Sequence, residues 1–196
     1  MVGYLEITYG PMFAGKTSHL IERVNNFITF NEIHKNKTPK VLIINSKKDI
    51  RDLKQIKNLT THNKYQDYHF PDCVESFSVE NLCDIEEDNL KKYDYLAIDE
   101  SQFFKDLKEF VDKCLKIDKY IHCTGLLSDS DKKPFGQLYL LIPYADEVKQ
   151  IKAFCTHCRY WHKNAVFTKC IGTNKKNQCI EIGAEGKYIP VCGKHY

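Results

Sequence analysis

The sequence predicts an α/β protein, with a mostly parallel sheet flanked by helices in residues 1–150 and a small cysteine-rich unit in residues 151–196. Three observations predict it. Short apolar, often β-branched runs alternate with stretches of helical periodicity, the pattern of parallel strands joined by crossover helices. The first such run passes straight into Gly10-Pro11-Met12-Phe13-Ala14-Gly15-Lys16-Thr17, a gapless G-x-x-x-x-G-K-[ST] loop that opens a helix. Past Pro143 helical periodicity disappears, and Cys155, Cys158, Cys170, Cys179 and Cys192 accumulate among glycines.

The elements follow in order. Leu5 to Tyr9 is a strand. From Lys16 to Phe30 the residues Leu20, Ile21, Val24, Phe27 and Ile28 recur at helical spacing and form one buried stripe. Val41-Leu42-Ile43-Ile44 is apolar without alternation, as a strand covered on both faces requires. Tyr95-Leu96-Ala97-Ile98 is another, ending on Asp99-Glu100. Phe104, Leu107, Val111, Cys114 and Leu115 then read as a helix, and Tyr120 to Thr124 as a further strand. Leu138 to Ile142 is apolar, and its pattern fits either type.

Composition bounds the function. At 196 residues the chain is one ordinary domain plus an appendix, too short for a two-lobed motor. With 42% hydrophobic residues and no long Pro/Gly/Ser stretch, it buries a real core. The formal net charge is +3 and the lysines are scattered, so no basic run suits a nucleic-acid backbone, and no nucleic-acid partner is expected. The opening residues show no basic stretch followed by an apolar one, so no signal peptide is expected, and no apolar run reaches the roughly 18 residues of a membrane span. A cytoplasmic protein without a membrane partner is expected. Nine cysteines in a reducing compartment point to metal ligation rather than disulfides where they cluster.

The glycine loop is suited to phosphate. Its glycines let the backbone turn tightly with N–H groups aimed inward, and the helix N-terminus adds positive potential. Lys16 would reach the β- and γ-phosphates of ATP, and the Thr17 hydroxyl would ligate Mg²⁺. The bland alternative is a chance glycine turn. Asp99, delivered by an apolar strand, is placed to hold Mg²⁺ through water, and Glu100 to accept a proton from the attacking hydroxyl. A solvated charge after a strand is the plainer reading of Glu100.

Only three arginines occur, Arg23, Arg51 and Arg159. Arg51 follows the second strand toward the active edge of the sheet, where a guanidinium can serve the transferring phosphoryl group. Asp49 can join the outer shell of the metal there, though both also read as ordinary loop charges. Arg23, within the first helix, is expected to be a surface charge.

Cys155-Thr-His-Cys158 pairs with Cys192-Gly-Lys-His195 as C-x₂-C and C-x₂-H, the donor set of a structural zinc site. Four protein ligands leave no open position, so the site is structural. His157 or His162 is an alternative fourth ligand to His195, and a set of buried or redox-active thiols is the alternative to any metal. Cys73, Cys83, Cys114 and Cys123 show no ligand spacing and are expected to fill apolar space.

Taken together, these residues resemble the type II thymidine kinases, the cytosolic and poxviral type. The resemblance is carried by Gly10 to Thr17, Asp49-Ile-Arg51, Asp99-Glu-Ser-Gln-Phe-Phe104, Lys133-Pro-Phe-Gly136, Phe167-Thr-Lys169, Lys187-Tyr188 and the two metal pairs, in family order along nearly the whole chain. It implies a RecA-like P-loop domain and a small C-terminal zinc-binding domain whose lasso loop closes over the nucleoside. It also implies transfer of the γ-phosphate of ATP to the 5′-hydroxyl of deoxythymidine, with Glu100 as general base. Gln102, Phe103, Leu126, Ser130, Phe135, Thr168 and Tyr188 match nucleoside-pocket positions. Cys179, Ile180, Glu181, Ile182 and Gly183 match lasso backbone that hydrogen-bonds the thymine edge. Without the resemblance, Phe103 and Phe135 read as core aromatics. Gln102 is also counted with the ATP-side residues. The family further implies a homotetramer, dTTP as feedback inhibitor and, for a viral member, residence in the host cytoplasm.

The chain departs from the family pattern at His195, where most relatives have cysteine, at Ser130, where an aromatic is usual, and at Ser101, where glycine is usual. Two other classes compete. A nucleic-acid-dependent ATPase would use Asp99-Glu100-Ser101-Gln102 as a helicase-style box, but generally needs two lobes and a basic channel. A nucleotide switch would couple the P-loop to a zinc module that binds nucleic acid or protein.

Overall fold

The structure, a computed structural model, describes residues 3–48, 70–159, 161–172 and 187–196. Strands β1 (Tyr4–Tyr9), β2 (Val41–Ser46), β3 (Val74–Val79), β4 (Tyr95–Ile98), β5 (Tyr120–Gly125) and β6 (Glu147–Gln150) form one six-stranded sheet in the order β3-β2-β4-β5-β1-β6. Every pairing in it is parallel. A separate antiparallel pair, β7 (Phe167–Cys170) and β8 (Tyr188–Val191), belongs to the C-terminal region.

Each face of the sheet carries a helix. The longer, α1 (Lys16–Lys35), lays Leu20, Val24 and Ile28 on Val41, Ile43, Tyr95 and Ala97. It extends five residues beyond Phe30, where the predicted helical stretch ends, and stops where Asn36 turns left-handed at φ 47° and its N–H bonds to Asn31 O. His34 and Lys35 in its last turn suit the negative end of the helix dipole. A single turn, α2 (Glu87–Leu90), precedes β4. On the opposite face α3 (Leu107–Lys116) packs Leu107, Phe110, Val111 and Cys114 against Leu5, Ile7, Leu96, Ile98 and Ile121. Phe104 lies before this helix rather than in it, fully buried. Leu138–Tyr144, apolar but of open type in the sequence, is a 3₁₀ helix that buries Leu138 and Leu141. Among the described residues no helix is long and apolar enough to cross a membrane.

Parallel pairing of β1, β4 and β5 puts all their carboxyl ends at one edge, where ligands of open α/β sheets bind. The glycine loop and Asp99-Glu100 follow directly from the ends of β1 and β4.

Candidate active site

The loop between β1 and α1 is shaped by its backbone. Phe13 and Gly15 are left-handed at φ 64° and 91°, turning the chain sharply into the helix. Gly10 passes so close to the strand leaving β6 that a Cβ would lie 2.1 Å from Ile151 O, which no side chain tolerates. Gly15 brings no side chain to cap the helix, whose first N–H groups and dipole favour an anion. Lys16 is buried, its Nζ donating to Pro11 O at 3.1 Å. The loop is also held from β7, because Met12 N donates to Thr168 Oγ1 at 3.0 Å.

Asp99, 3% exposed, gathers three elements. Its Oδ2 accepts from Thr17 Oγ1 on α1 at 2.9 Å, and its Oδ1 accepts from Thr124 Oγ1 on β5 and from Glu100 N. Glu100 is left-handed at φ 47° and ψ 43°, and its Oε2 accepts from Gln102 Nε2 at 2.6 Å. The other end of that amide, Gln102 Oε1, accepts from Leu126 N at 2.9 Å, so the segments that follow β4 and β5 are tied through one side chain. Gly136, at φ 66°, presses on Gln102, and a Cβ there would come within 2.2 Å of Gln102 O.

The structure also places the other described residues that the resemblance matched to a nucleoside pocket. Phe103 and Phe135 meet edge to face at 5.6 Å, both half-buried rather than in the core. Phe135 N donates to Leu127 O at 3.0 Å, closing the loop that carries Leu126 and Ser130. Ser130 is buried, and its backbone O accepts from Tyr196 Oη. Tyr188, also buried, stands on β8 opposite Cys170. Asp49, Arg51, Cys179, Ile180, Glu181, Ile182 and Gly183 lie outside the described residues.

Thr124 escaped the sequence reading. Its only signal is a hydroxyl near the end of a strand, and its importance comes from the β4–β5 register, which the sequence does not display. The expectation for Arg23 is corrected. Its guanidinium clamps the fully buried Glu6 carboxylate, with Nε at 3.0 Å and Nη2 at 2.8 Å, while Tyr120 Oη donates to the same oxygen at 3.0 Å. The first strand supplies a buried acid, so the helix facing it must supply the cation. Beside this pair His122 is fully buried, its ring nitrogens bonded to Thr8 Oγ1 at 2.9 Å and Tyr95 Oη at 3.2 Å. Burial foremost, with His19, Arg23 and Lys149 nearby, draws its pKa down to about 3 and keeps it neutral.

In the C-terminal region Cys155, Cys158, Cys192 and His195 place their ligand atoms within 4.8 Å of one another. Cys158 Sγ is 3.7 Å from Cys192 Sγ, and His195 Nδ1 is 3.5, 3.4 and 3.3 Å from the sulfurs of Cys155, Cys158 and Cys192. A tetrahedral zinc with usual bond lengths spaces its ligands about 3.8 Å apart for two sulfurs and about 3.5 Å for sulfur and nitrogen. The donor set therefore fits such an ion. Burial raises the Cys155 thiol, but N–H donors from Cys192, His157 and Cys158, with His195, outweigh it and bring the pKa down to about 6. That favours the thiolate a metal needs. His157 stands beside His195, ring centroids 5.6 Å apart, and Cys170 lies on β7 outside the cluster. Cys114 and Cys123 are buried as expected, whereas Cys83 is exposed, because its 3₁₀ turn at Leu82–Asp84 buries only Leu82.

The family model described as thymidine kinase matches residues 3–196. The chain is 33% identical to the thymidine kinase of Amsacta moorei entomopoxvirus, over 96% of this chain and 94% of that protein. It is 30% identical to the cytosolic thymidine kinase of Homo sapiens, over 97% of this chain and 71% of that one, and 34% identical to thymidine kinase a of Arabidopsis thaliana, over 99% and 75%.

Proposed function

This chain belongs to the thymidine kinase family, and on that premise we propose how its residues move the γ-phosphate of ATP to the 5′-hydroxyl of deoxythymidine. One observation carries the proposal: Asp99 joins Thr17 of the phosphate loop to Thr124 of β5, and the next residue is Glu100. The triphosphate lies along Gly10 to Thr17, with the Lys16 ammonium against its β- and γ-oxygens. Thr17 and Asp99 would hold magnesium, which when bound neutralises charge on those oxygens. As the 5′-oxygen bonds to the γ-phosphorus and the bond to the departing ADP oxygen breaks, Glu100 takes the hydroxyl proton. Gln102, donating to Glu100 Oε2, holds the carboxylate toward the acceptor. Phosphoryl transfer is chiefly a matter of such positioning and charge stabilisation.

The nucleoside is bound by Gln102, Phe103, Leu126, Ser130, Phe135, Thr168 and Tyr188. Main chain of residues 179–183 meets the pyrimidine edge, and Arg51 with Asp49 serves the phosphates; these roles rest on family resemblance. Cys155, Cys158, Cys192 and His195 would hold a structural zinc, the division between the two units falling at residue 150. Residence in the cytoplasm, homotetramer assembly and inhibition by dTTP are supported by family membership, and sedimentation with and without dTTP tests the last two.

The deciding experiment is thymidine-dependent ADP release, without nucleic acid, by the wild type and Glu100→Gln. The variant should lose at least about a hundredfold in kcat, the lower range of general-base contributions, with ATP affinity near normal. Wild-type turnover in Glu100→Gln would remove Glu100 from proton transfer.

A further inference from the structure

We propose that Lys132 and Tyr196 form a latch through which the metal-binding unit positions the loop of residues 126–137 for the nucleoside. The inference rests on the reading above that this loop carries nucleoside contacts.

The loop is built to present Lys132. Ser128 and Pro134 bridge its two limbs, Asp129 N donates to Lys133 O at 2.9 Å, and Asp129 Oδ1 accepts from the N–H groups of Asp131 and Lys133 at 2.8 and 2.9 Å. Lys132, at the tip, is left-handed at φ 62°. Its ammonium lies 3.5 Å from the Tyr196 ring centroid and 4.4 Å from that of Phe167. The two rings meet at 5.5 Å. A cation shared between two aromatic rings is attracted by both quadrupoles. Tyr196 adds a second hold, donating through Oη to Ser130 O within the same loop.

Both aromatics belong to the metal-binding unit. Tyr196 follows the ligand His195, whose carbonyl accepts from Lys169 Nζ of β7 at 3.2 Å. Phe167 begins β7, and its neighbour Thr168 points to the other side and holds Met12 of the phosphate loop. One short strand thus addresses both substrates, with the phosphate loop on one side and the latch on the other. From the latch the loop runs back to Phe135 and Gly136, which press on Phe103 and Gln102, while Leu126 N bonds to Gln102 Oε1. Lys132 and Tyr196 are therefore positioning residues. They touch no reacting atom, and they act through the loop on thymidine rather than through Met12 on ATP.

The test is steady-state kinetics of the full chain as wild type, Lys132→Met, Lys132→Arg and Tyr196→Phe, with metal content measured on each. Lys132→Met should raise KM for thymidine roughly tenfold, the scale of a lost cation–π contact, while KM for ATP and the metal content stay unchanged. Lys132→Arg keeps a cation on both rings and should return KM to near wild type. Tyr196→Phe keeps the ring but loses the hydroxyl, and should raise KM for thymidine by roughly threefold, the scale of one hydrogen bond. Unchanged thymidine KM in both Lys132→Met and Tyr196→Phe, or parallel rises for thymidine and ATP with loss of metal, overturns the latch. A wild type that leaves thymidine unphosphorylated overturns the functional reading itself, and the latch with it.

Discussion

Glu100 occupies a backbone conformation that costs a non-glycine residue of order 1 kcal/mol, yet it is over-determined by its neighbours. Its N–H is held by Asp99, its carbonyl accepts from Phe103 N at 3.1 Å, and its carboxylate is held by Gln102. The strain aims an acid at the sheet edge beside the phosphate loop, where a relaxed strand would carry it past. His122 shows the opposite economy, a titratable group kept neutral. Its folded pKa of about 3 lies below the ordinary value near 6.5, so between those values the unfolded chain binds the proton more readily. The stability that His122 contributes is complete above about pH 6.5 and is lost as pH falls toward 3, by up to about 1.4 kcal/mol per pH unit. Denaturant unfolding at pH 7, 6 and 5 should show a steeper loss for the wild type than for His122→Gln. Parallel pH dependences in the two proteins would mean that this histidine takes up its proton as readily in the folded as in the unfolded chain.

At the scale of elements, β1 and α1 are joined by an ion pair. Glu6 is fully buried and its Oε2 receives the Arg23 fork, whose own side chain is 31% exposed. Removing the arginine leaves a buried carboxylate uncompensated, a loss that runs to about 3 kcal/mol. Arg23→Met should therefore destabilise the protein on that scale, while Glu6→Gln combined with Arg23→Met should recover much of it; equal stability of the single and double variants would show the pair to be uncoupled. This pair also marks a limit of the sequence. The strands β2 and β4 and the stripe of α1 were legible because their buried residues are apolar on both faces or recur at helical spacing, and β1 and β5 because short β-type runs stand out at Leu5 to Tyr9 and Tyr120 to Thr124. Glu6 and Arg23 were not, since each looks solvent-facing until the sheet is seen to be covered there by α1. The strands β3 and β6 were missed for the converse reason. Both are sheet edges, and Glu147 to Gln150 are exposed throughout, so no apolar pattern betrays them. In the site, the phosphate loop, Asp99-Glu100 and the metal pairs were legible as spaced motifs, whereas Thr124 and the Lys132–Tyr196 contact depend on residues brought together only by the fold.

For the molecule as a whole, the C-terminal region is more than an appendage to the nucleoside side. Ala14 of the phosphate loop packs in one cluster with Ala153, Cys155, Ala165 and Val191, and Cys155 is itself a metal ligand candidate. Together with Thr168 on Met12, this makes the phosphate loop lean on the cysteine-rich unit. Structural zinc sites supply folding energy outright, so loss of the ion should loosen the unit and with it both supports of the loop. Elemental analysis of the purified chain should find zinc, and Cys158→Ala or exhaustive chelation should remove it, lower the thermal midpoint and weaken ATP binding by roughly tenfold or more, the equivalent of about 1.4 kcal/mol. This differs in kind from the latch variants, which leave ATP untouched. Were the metal-free protein to bind ATP as tightly as the native one, the phosphate loop would have to be held by β1 and α1 alone, and the contacts from Thr168 and Ala153 would count only as packing.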